Sequence, residues 1–315
     1  ADSNFKSKLR HPSYPTHEIN GIVFAYMGPR DKLPLFPNHE WALVDNDHTY
    51  VTKAYQECNY LQGLEGECDS AHLSFLHRMF KTSNFSQQDT SPEYETEDTD
   101  FGVRMIATRN AGEGKSYVRV SSFIMPVGSA VPVGPGSENP EGPDGFEIHF
   151  YTPADDYHSW RFDFGFRRSR TVGIPDVHRA PHIGPDFRKY ANASNHYLQD
   201  REMQRTVNYT GMPEFLTHDS VATESMGALY DRSREHLGSS DTAVVAVRRR
   251  ILEAVKAFQR GEEPPCLVTD PELNDYSHAE STNRVFAGHD WHAKLPHLVS
   301  SVQERVAQKE SEVRA

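Results

Sequence analysis

The residues with the clearest capacity for chemistry lie in the run ECNYLQGLEGECDSAHLSFLHRMF, residues 57–80. Asp69 is followed three positions on by His72 and five further on by His77. Imidazole nitrogens and carboxylate oxygens are the donors of nitrogen- and oxygen-ligated metal centres. Two histidines with one carboxylate form a facial set that leaves one side of Fe(II) open to dioxygen and substrate. On a helix an Asp and a His three apart share a face, so Asp69 is placed to accept a bond from one His72 nitrogen. On an ideal helix His72 and His77 point about 140° apart, so both reach one ion only across a distorted turn or from a helix end. The H-E-x-x-H pairing of zinc proteases is absent. Spacing alone leaves ordinary surface roles open, since two nearby histidines are not rare in a chain with 17 of them.

The elements that must carry these groups read as strands in the middle and helices toward both ends. One helix is expected from about Glu67 through Phe80. A second follows Ser240 as N-cap and ends at Gly261, with Val244, Val247, Ile251, Leu252, Val255 and Phe258 as its core stripe. Arg248, Arg249 and Arg250 on its other side read as a solvated or interface face. A third helix is expected over Ser220 to Leu237. Residues 17–28, HEINGIVFAYMG, read as one extended segment. SYVRVSSFIMPV, residues 116–127, alternates as a strand with Val118, Val120, Ser122 and Ile124 on one side and Tyr117, Arg119, Ser121 and Phe123 on the other. Residues 146–166 read as a hairpin turning at Pro153 to Asp156. The Pro/Gly-rich stretch 126–145 reads as a long surface loop, and 261–271 as the end of a helix and the start of a tail. Together these predict an α+β fold, an antiparallel β-sheet flanked by helices.

Composition narrows the function classes. The 315 residues carry 33 Lys and Arg against 45 Asp and Glu, a net charge of −12, with no long basic block. That argues against a nucleic-acid binder or a binder of anionic membranes. The apolar runs are too short for a membrane span. The opening ADSNFKSKLRH lacks the apolar stretch of a secretory signal, and Cys58, Cys68 and Cys266 make no C-x-x-C pair, so a cytoplasmic location is expected.

The string NYLQGLEGECDSAHLSFLH resembles the iron-binding segment of the catalytic (alpha) component of Rieske non-heme iron aromatic-ring oxygenases, and most of all their phthalate dioxygenase group. That family's Asp-x-x-His-x-x-x-x-His pattern is matched at Asp69, His72 and His77. Further similar runs follow in order: DREMQRTVNYTGM (200–212), HDSVATESMG (218–227) and DRSREHLGSSDTAVVAVRRRILEA (231–254). The resemblance covers about residue 17 to 260. It implies a helix-grip, START-like catalytic domain and a mononuclear Fe(II) held by His72, His77 and Asp219. Asp200 and Asp231 are the fallbacks for the third ligand, and an N-cap role is the bland alternative for Asp219. It also implies that Asp69 links His72 to the Rieske cluster of a neighbouring subunit and carries the inter-subunit electron path.

One departure stands out. A Rieske 2Fe–2S cluster needs Cys-x-His and Cys-x-x-His, and none of the three cysteines sits in either. YPTHEINGIVFAYMGP, residues 14–29, resembles the last strand after the cluster. Residues 1–45 are therefore expected to be the remaining strand and linker of a Rieske domain. Residues 46–315 are expected to be the iron-containing catalytic domain with a C-terminal helix and tail, in a truncated, partial or split protein. The function implied is oxygenation of an aromatic acid with O2. Electrons would come from NAD(P)H through a reductase and a Rieske cluster, the outcome would be dihydroxylation, monohydroxylation or O-demethylation, and the resemblance implies a homotrimer. Arg104, Arg119 and His149 are the candidates for holding a substrate carboxylate. Phe123, Phe146, Phe150 and Trp160 are candidates for a pocket wall or for the core, and 126–145 for an entrance lid. Two rivals are a non-catalytic aromatic ligand-binding module and a zinc hydrolase using the same three residues. Metal identity separates them.

Overall fold

A computed structural model describes residues 4–292 apart from 83, 135, 137–141, 174–175, 178–179 and 290. Near the start, Asn20 and Gly21 take φ of 49° and 84°. Two left-handed residues in succession reverse the chain, so β1 (Thr16–Ile19) pairs antiparallel with β2 (Ile22–Ala25). The single extended segment expected over 17–28 is thus a hairpin, because Asn-Gly tolerates positive φ at both central positions of its turn.

The main sheet has eight strands: β3 (Thr49–Gln56), β4 (Glu93–Asp98), β5 (Gly102–Asn110), β6 (Lys115–Ile124), β7 (Gly128–Pro132), β8 (Phe146–Pro153), β9 (Ser159–Phe166) and β10 (Thr282–Ala287). Their order is β3-β9-β8-β7-β6-β5-β4, with β10 also on β6, and all pairings are antiparallel. The expected hairpin over 146–166 is β8 and β9, with Ile148 opposite Phe164 and Phe150 opposite Phe162. The expected loop over 126–145 contains β7, while 135 and 137–141 lie outside the described residues. β10 was not foreseen.

Side-chain alternation gives the sheet two apolar faces. On one, Phe146, Ile148, Phe150, Phe164 and Phe166 pack against Trp41 and the hairpin residues Ile19 and Ile22. On the other lie α1 (Tyr60–Cys68) and α3 (Thr242–Gln259), with α2 (Phe215–Glu224) against α1. Leu64 and Cys68 of α1 join Val103, Met105, Phe123 and Tyr151 of the sheet and Ala243, Val244, Ala246 and Val247 of α3 in one cluster. Gly63 permits this approach, since a Cβ there would lie 2.3 Å from the Tyr151 ring.

Three helix expectations need correction. The helix placed over Glu67 to Phe80 instead spans Tyr60–Cys68 and is followed by a single 3-10 turn, His72–Ser74. The one placed over Ser220 to Leu237 is Phe215–Glu224, and the chain turns at Gly227 with φ 96°. The long helix starts at Thr242 after Asp241 rather than from a Ser240 cap. Val244 and Val247 of its expected stripe are buried, but Leu252, Val255 and Phe258 are exposed, and the small Ala243, Ala246, Ala254 and Ala257 are buried instead. The three arginines tie the helix down. Arg248 pairs with Glu65 and Glu235, Arg249 with Asp98, and Arg250 donates to the Thr99 carbonyl. Among the described residues no helix is long and apolar enough to cross a membrane.

Candidate metal centre

Asp69 ends α1. Its carboxylate accepts from the backbone N–H groups of Ala71 (2.6 Å) and His72 (3.2 Å), a local bond that competes with helix continuation. The break removes the 140° problem, because His72 now sits on its own turn and His77 on the loop beyond it. Their rings approach edge to face with centroids 5.1 Å apart. Asp219 arrives from the opposite direction, inside α2 rather than before a helix, so it caps nothing. Its Oδ1 stands 2.9 Å from His77 Nε2 and 3.8 Å from His72 Nε2. One ligand atom from each residue falls within 4.8 Å of the others, and among the described residues no other such group is found. Both fallbacks are spent on turns: Asp200 accepts from the N–H groups of Glu202 and Met203, and Asp231 from that of Ser233. Asp69 Oδ2 is 3.7 Å from His72 Nδ1, near enough to attract it but beyond a hydrogen bond.

The electrostatics suit a cation. His77 Nε2 is buried and makes no satisfactory hydrogen bond, although a carboxylate oxygen faces it. Burial works against the charge on Asp219, but His77 and His72 beside it hold its carboxyl down to about 2. Burial also lowers His72, favouring the neutral imidazole that a metal requires. Phe215 stacks on His77 at 3.7 Å between centroids and 9° between planes. Behind His77 lies a residue with no spacing signal of its own: His218, whose Nδ1 is 3.2 Å from His77 Nδ1. The far end of α2 is anchored by Glu224, which takes bonds from Lys189 Nζ, the Tyr197 hydroxyl (2.9 Å) and the Glu57 N–H (3.0 Å).

The three candidate ligands border a cavity of about 540 Å³ whose other walls include Met105, Ala107, Tyr117, Arg119, Ser121, Val131 and His149. Sheet register sorts the substrate candidates. Arg119 of β6 lies opposite Ala107, and Ser121 opposite Met105, and all four line the cavity. Arg104 lies opposite Ser122 and so belongs to the other face. There it is fully buried, donating to Glu97 (2.6 Å) and to the His278 carbonyl (3.1 Å), away from the cavity. His149 borders the cavity but is held by carboxylates: Nδ1 is 2.9 Å from Glu67, and Nε2 is 3.3 Å from Glu147 and 3.4 Å from Asp163. Arg161 completes this cluster through Asp163 (2.6 Å) and Glu67 (3.2 Å). Burial opposes the imidazolium, yet Glu67 turns the balance and raises the His149 pKa. Arg119 differs from both. It is half-buried, lines the cavity, and has no hydrogen bond or ion pair among the described residues. Phe146 and Phe150 belong to the core on the opposite face and Phe123 to the helix-facing core. Trp160 lies under the Lys53 ammonium and meets the Tyr55 ring edge to face, outside the cavity.

The family described as LigXa C-terminal domain like matches residues 25–313. The chain belongs to this family. This LigXa C-terminal-like chain is 33% identical over 288 residues to the phthalate 4,5-dioxygenase oxygenase subunit of Pseudomonas putida, a match covering 83% of the chain and 63% of that relative. It is 27% identical over 292 residues to the 3-chlorobenzoate-3,4-dioxygenase oxygenase subunit of Comamonas testosteroni, covering 84% of the chain and 66% of the relative. The chain therefore spans under two thirds of the length of these relatives. Its fold is shared with dicamba monooxygenase bound to dicamba, at a TM-score of 0.51 and 15% identity over 79% of this chain and 71% of that one.

Proposed function

We propose that this chain is the catalytic part of a Rieske-type oxygenase, holding mononuclear Fe(II) on His72, His77 and Asp219 and an aromatic carboxylate in the adjoining cavity. The observation that carries the reading is the unsatisfied His77 Nε2 facing the Asp219 carboxylate beside His72, at the wall of a cavity that contains Arg119, unpaired among the described residues. Two imidazoles and a carboxylate fit a ferrous ion with open positions. When bound, the iron would supply activation of O2 for ring dihydroxylation, hydroxylation or O-demethylation, with electrons drawn from NAD(P)H through a reductase and a 2Fe–2S cluster. The chain's own residues do the rest. Phe215 limits rotation of His77. Arg119 pairs with the substrate carboxylate and fixes which end of the ring faces the ligands. Met105, Ala107 and Val131 exclude water from the ring. Asp69, about 29% exposed at its side chain, is the group next to His72 that a cluster on a neighbouring subunit of a homotrimer would approach.

The test is anaerobic titration with Fe(II) and Zn(II), followed by calorimetry with benzoate and with neutral benzamide on the wild type and Arg119→Met. One Fe(II) per chain is expected, with benzoate preferred over the amide. Arg119→Met should remove that preference by roughly 10–100-fold, the equivalent of one charged hydrogen-bonded pair. Retention of zinc with ester hydrolysis would replace this reading by a hydrolase. Aromatic-acid binding without any metal would replace it by a binding module.

A further inference from the structure

The segment NYTGM, residues 208–212, lines no part of the metal triad, yet it is built with care around one carbonyl. Gly211 takes φ 73°, and a Cβ there would meet the Asp200 carbonyl at 2.4 Å. Its N–H donates to Asn208 Oδ1 at 2.6 Å. That bond fixes the Asn208 amide, so Nδ2 is the donor to the Met212 carbonyl at 2.7 Å. The same carbonyl lies 2.9 Å from His218 Nε2. A carbonyl only accepts, so His218 carries its proton on Nε2. His218 is buried, with no carboxylate within hydrogen-bonding distance among the described residues, and so holds only that one proton. Its Nδ1 is then a lone pair. The 3.2 Å contact to His77 Nδ1 therefore has one direction: His77 Nδ1–H donates to His218 Nδ1. His77 Nε2, 2.9 Å from Asp219 Oδ1, is then the nitrogen that faces the other candidate ligands.

We infer that His218 is a positioning residue that holds a proton on His77 Nδ1, the Met212 carbonyl and Asn208 being the fixed end of a relay that leaves Nε2 as the nitrogen to meet a metal ion. The inference rests on the proposed metal reading, but the proton's position is measurable without any metal. Ligating histidines ordinarily donate their second N–H to a carboxylate, carbonyl or water. Here a second imidazole takes that place, and it works only because the turn at 208–212 dictates the second imidazole's own tautomer.

The experiment uses the metal-free 315-residue chain with ¹⁵N-labelled histidine, and long-range ¹H–¹⁵N spectra that read which ring nitrogen of His77 carries hydrogen. His77 is assigned by its loss in His77→Gln. Wild type is expected to show His77 protonated at Nδ1. His218→Leu removes the acceptor, and the His77 proton should redistribute to Nε2. His218→Gln offers an amide oxygen to His77 and an N–H to Met212, and should restore the Nδ1–H form. Fe(II) affinity, measured by anaerobic competition with a chelator, should fall about 10–100-fold in His218→Leu and recover in His218→Gln. Wild type with no proton on His77 Nδ1, or His218→Leu with an unchanged Nδ1 proton and unchanged affinity, overturns the inference. If no variant and no wild type binds iron while the tautomer pattern holds, the metal reading fails and the relay stands. If His218→Leu does not fold, the wild-type tautomer alone decides.

Discussion

Removing the Lys189 ammonium should loosen the helix that carries Asp219. Lys189 and Glu224 form an ion pair whose side chains are 3% and 1% exposed. Lys189 also donates to Gln56 Oε1 at 2.7 Å. In Lys189→Met the Glu224 carboxylate keeps bonds from the Tyr197 hydroxyl and the Glu57 N–H but loses its only cation among the contacts above. Breaking a buried pair on one side costs about 3–5 kcal/mol. The two remaining hydrogen bonds to a charged acceptor hold the loss near the lower end, about 3 kcal/mol. For a chain of this size that lowers the melting temperature by roughly 6 °C. Urea unfolding monitored by circular dichroism gives the free energy, and an unchanged slope shows that the unfolded state is unaltered. Adding Glu224→Gln removes the stranded charge, so the double variant should be more stable than Lys189→Met alone. A loss under about 1 kcal/mol, well below the range for a broken buried pair, would refute the reasoning. So would a double variant less stable than either single.

Asp219→Ala should strip most of the iron while Asp200→Ala keeps it, measured by metal analysis after gel filtration; the reverse pattern moves the third ligand. Asp69→Asn keeps an oxygen that accepts from the Ala71 N–H, so its Fe(II) affinity should stay within roughly tenfold of wild type. Asp69→Ala should lose more, because the 69–72 turn then has no side-chain acceptor. His39 gives a pH test far from the metal. Burial and the neighbouring His278 lower its pKa to about 3. The unfolded chain therefore takes up a proton below about pH 6.5 that the folded chain refuses, so stability is full above that pH and falls on acidification. In His39→Phe the acid limb between pH 6 and 4 should be shallower than wild type by up to about 1.4 kcal/mol per pH unit; an identical slope would contradict the burial of a neutral imidazole.

Residue type and spacing made His72 and His77 legible, and the resemblance supplied Asp219. What the sequence concealed was the geometry that makes them converge. Helical periodicity runs through Asp69, and only the side-chain bonds to Ala71 and His72 show that the helix stops there. Arg104 and Arg119 look equivalent as strand arginines. Their separation depends on the β5/β6 register, which no single strand encodes. The exposed Leu252, Val255 and Phe258 show the same limit: where α3 lies close to the sheet, alanine is buried because it is small, and hydrophobicity alone ranks the wrong face. β10 owes its existence to a partner, β6, far away in sequence. His218 stood beside Asp219 in plain view, but its value lies in the direction of one hydrogen bond.

The ligands also divide the chain in an instructive way. His77 and His218 are 141 positions apart, and Asp219 is the next residue. Strands β4 through β9 all lie between them, and with them Met105, Arg119, Val131 and His149 of the cavity wall. A bound ion would thus clasp the two ends of a long excursion whose interior shapes the guest. Closure entropy grows only with the logarithm of loop length, about 0.6 kcal/mol per doubling. Residues can be added in the turns between these strands at little closure cost, whereas a one-residue change inside a strand would shift its register. The residues that shape the cavity and those that could hold an ion thus sit on separate stretches of the chain, so substitutions on the strand faces can alter the guest without touching the candidate ligands.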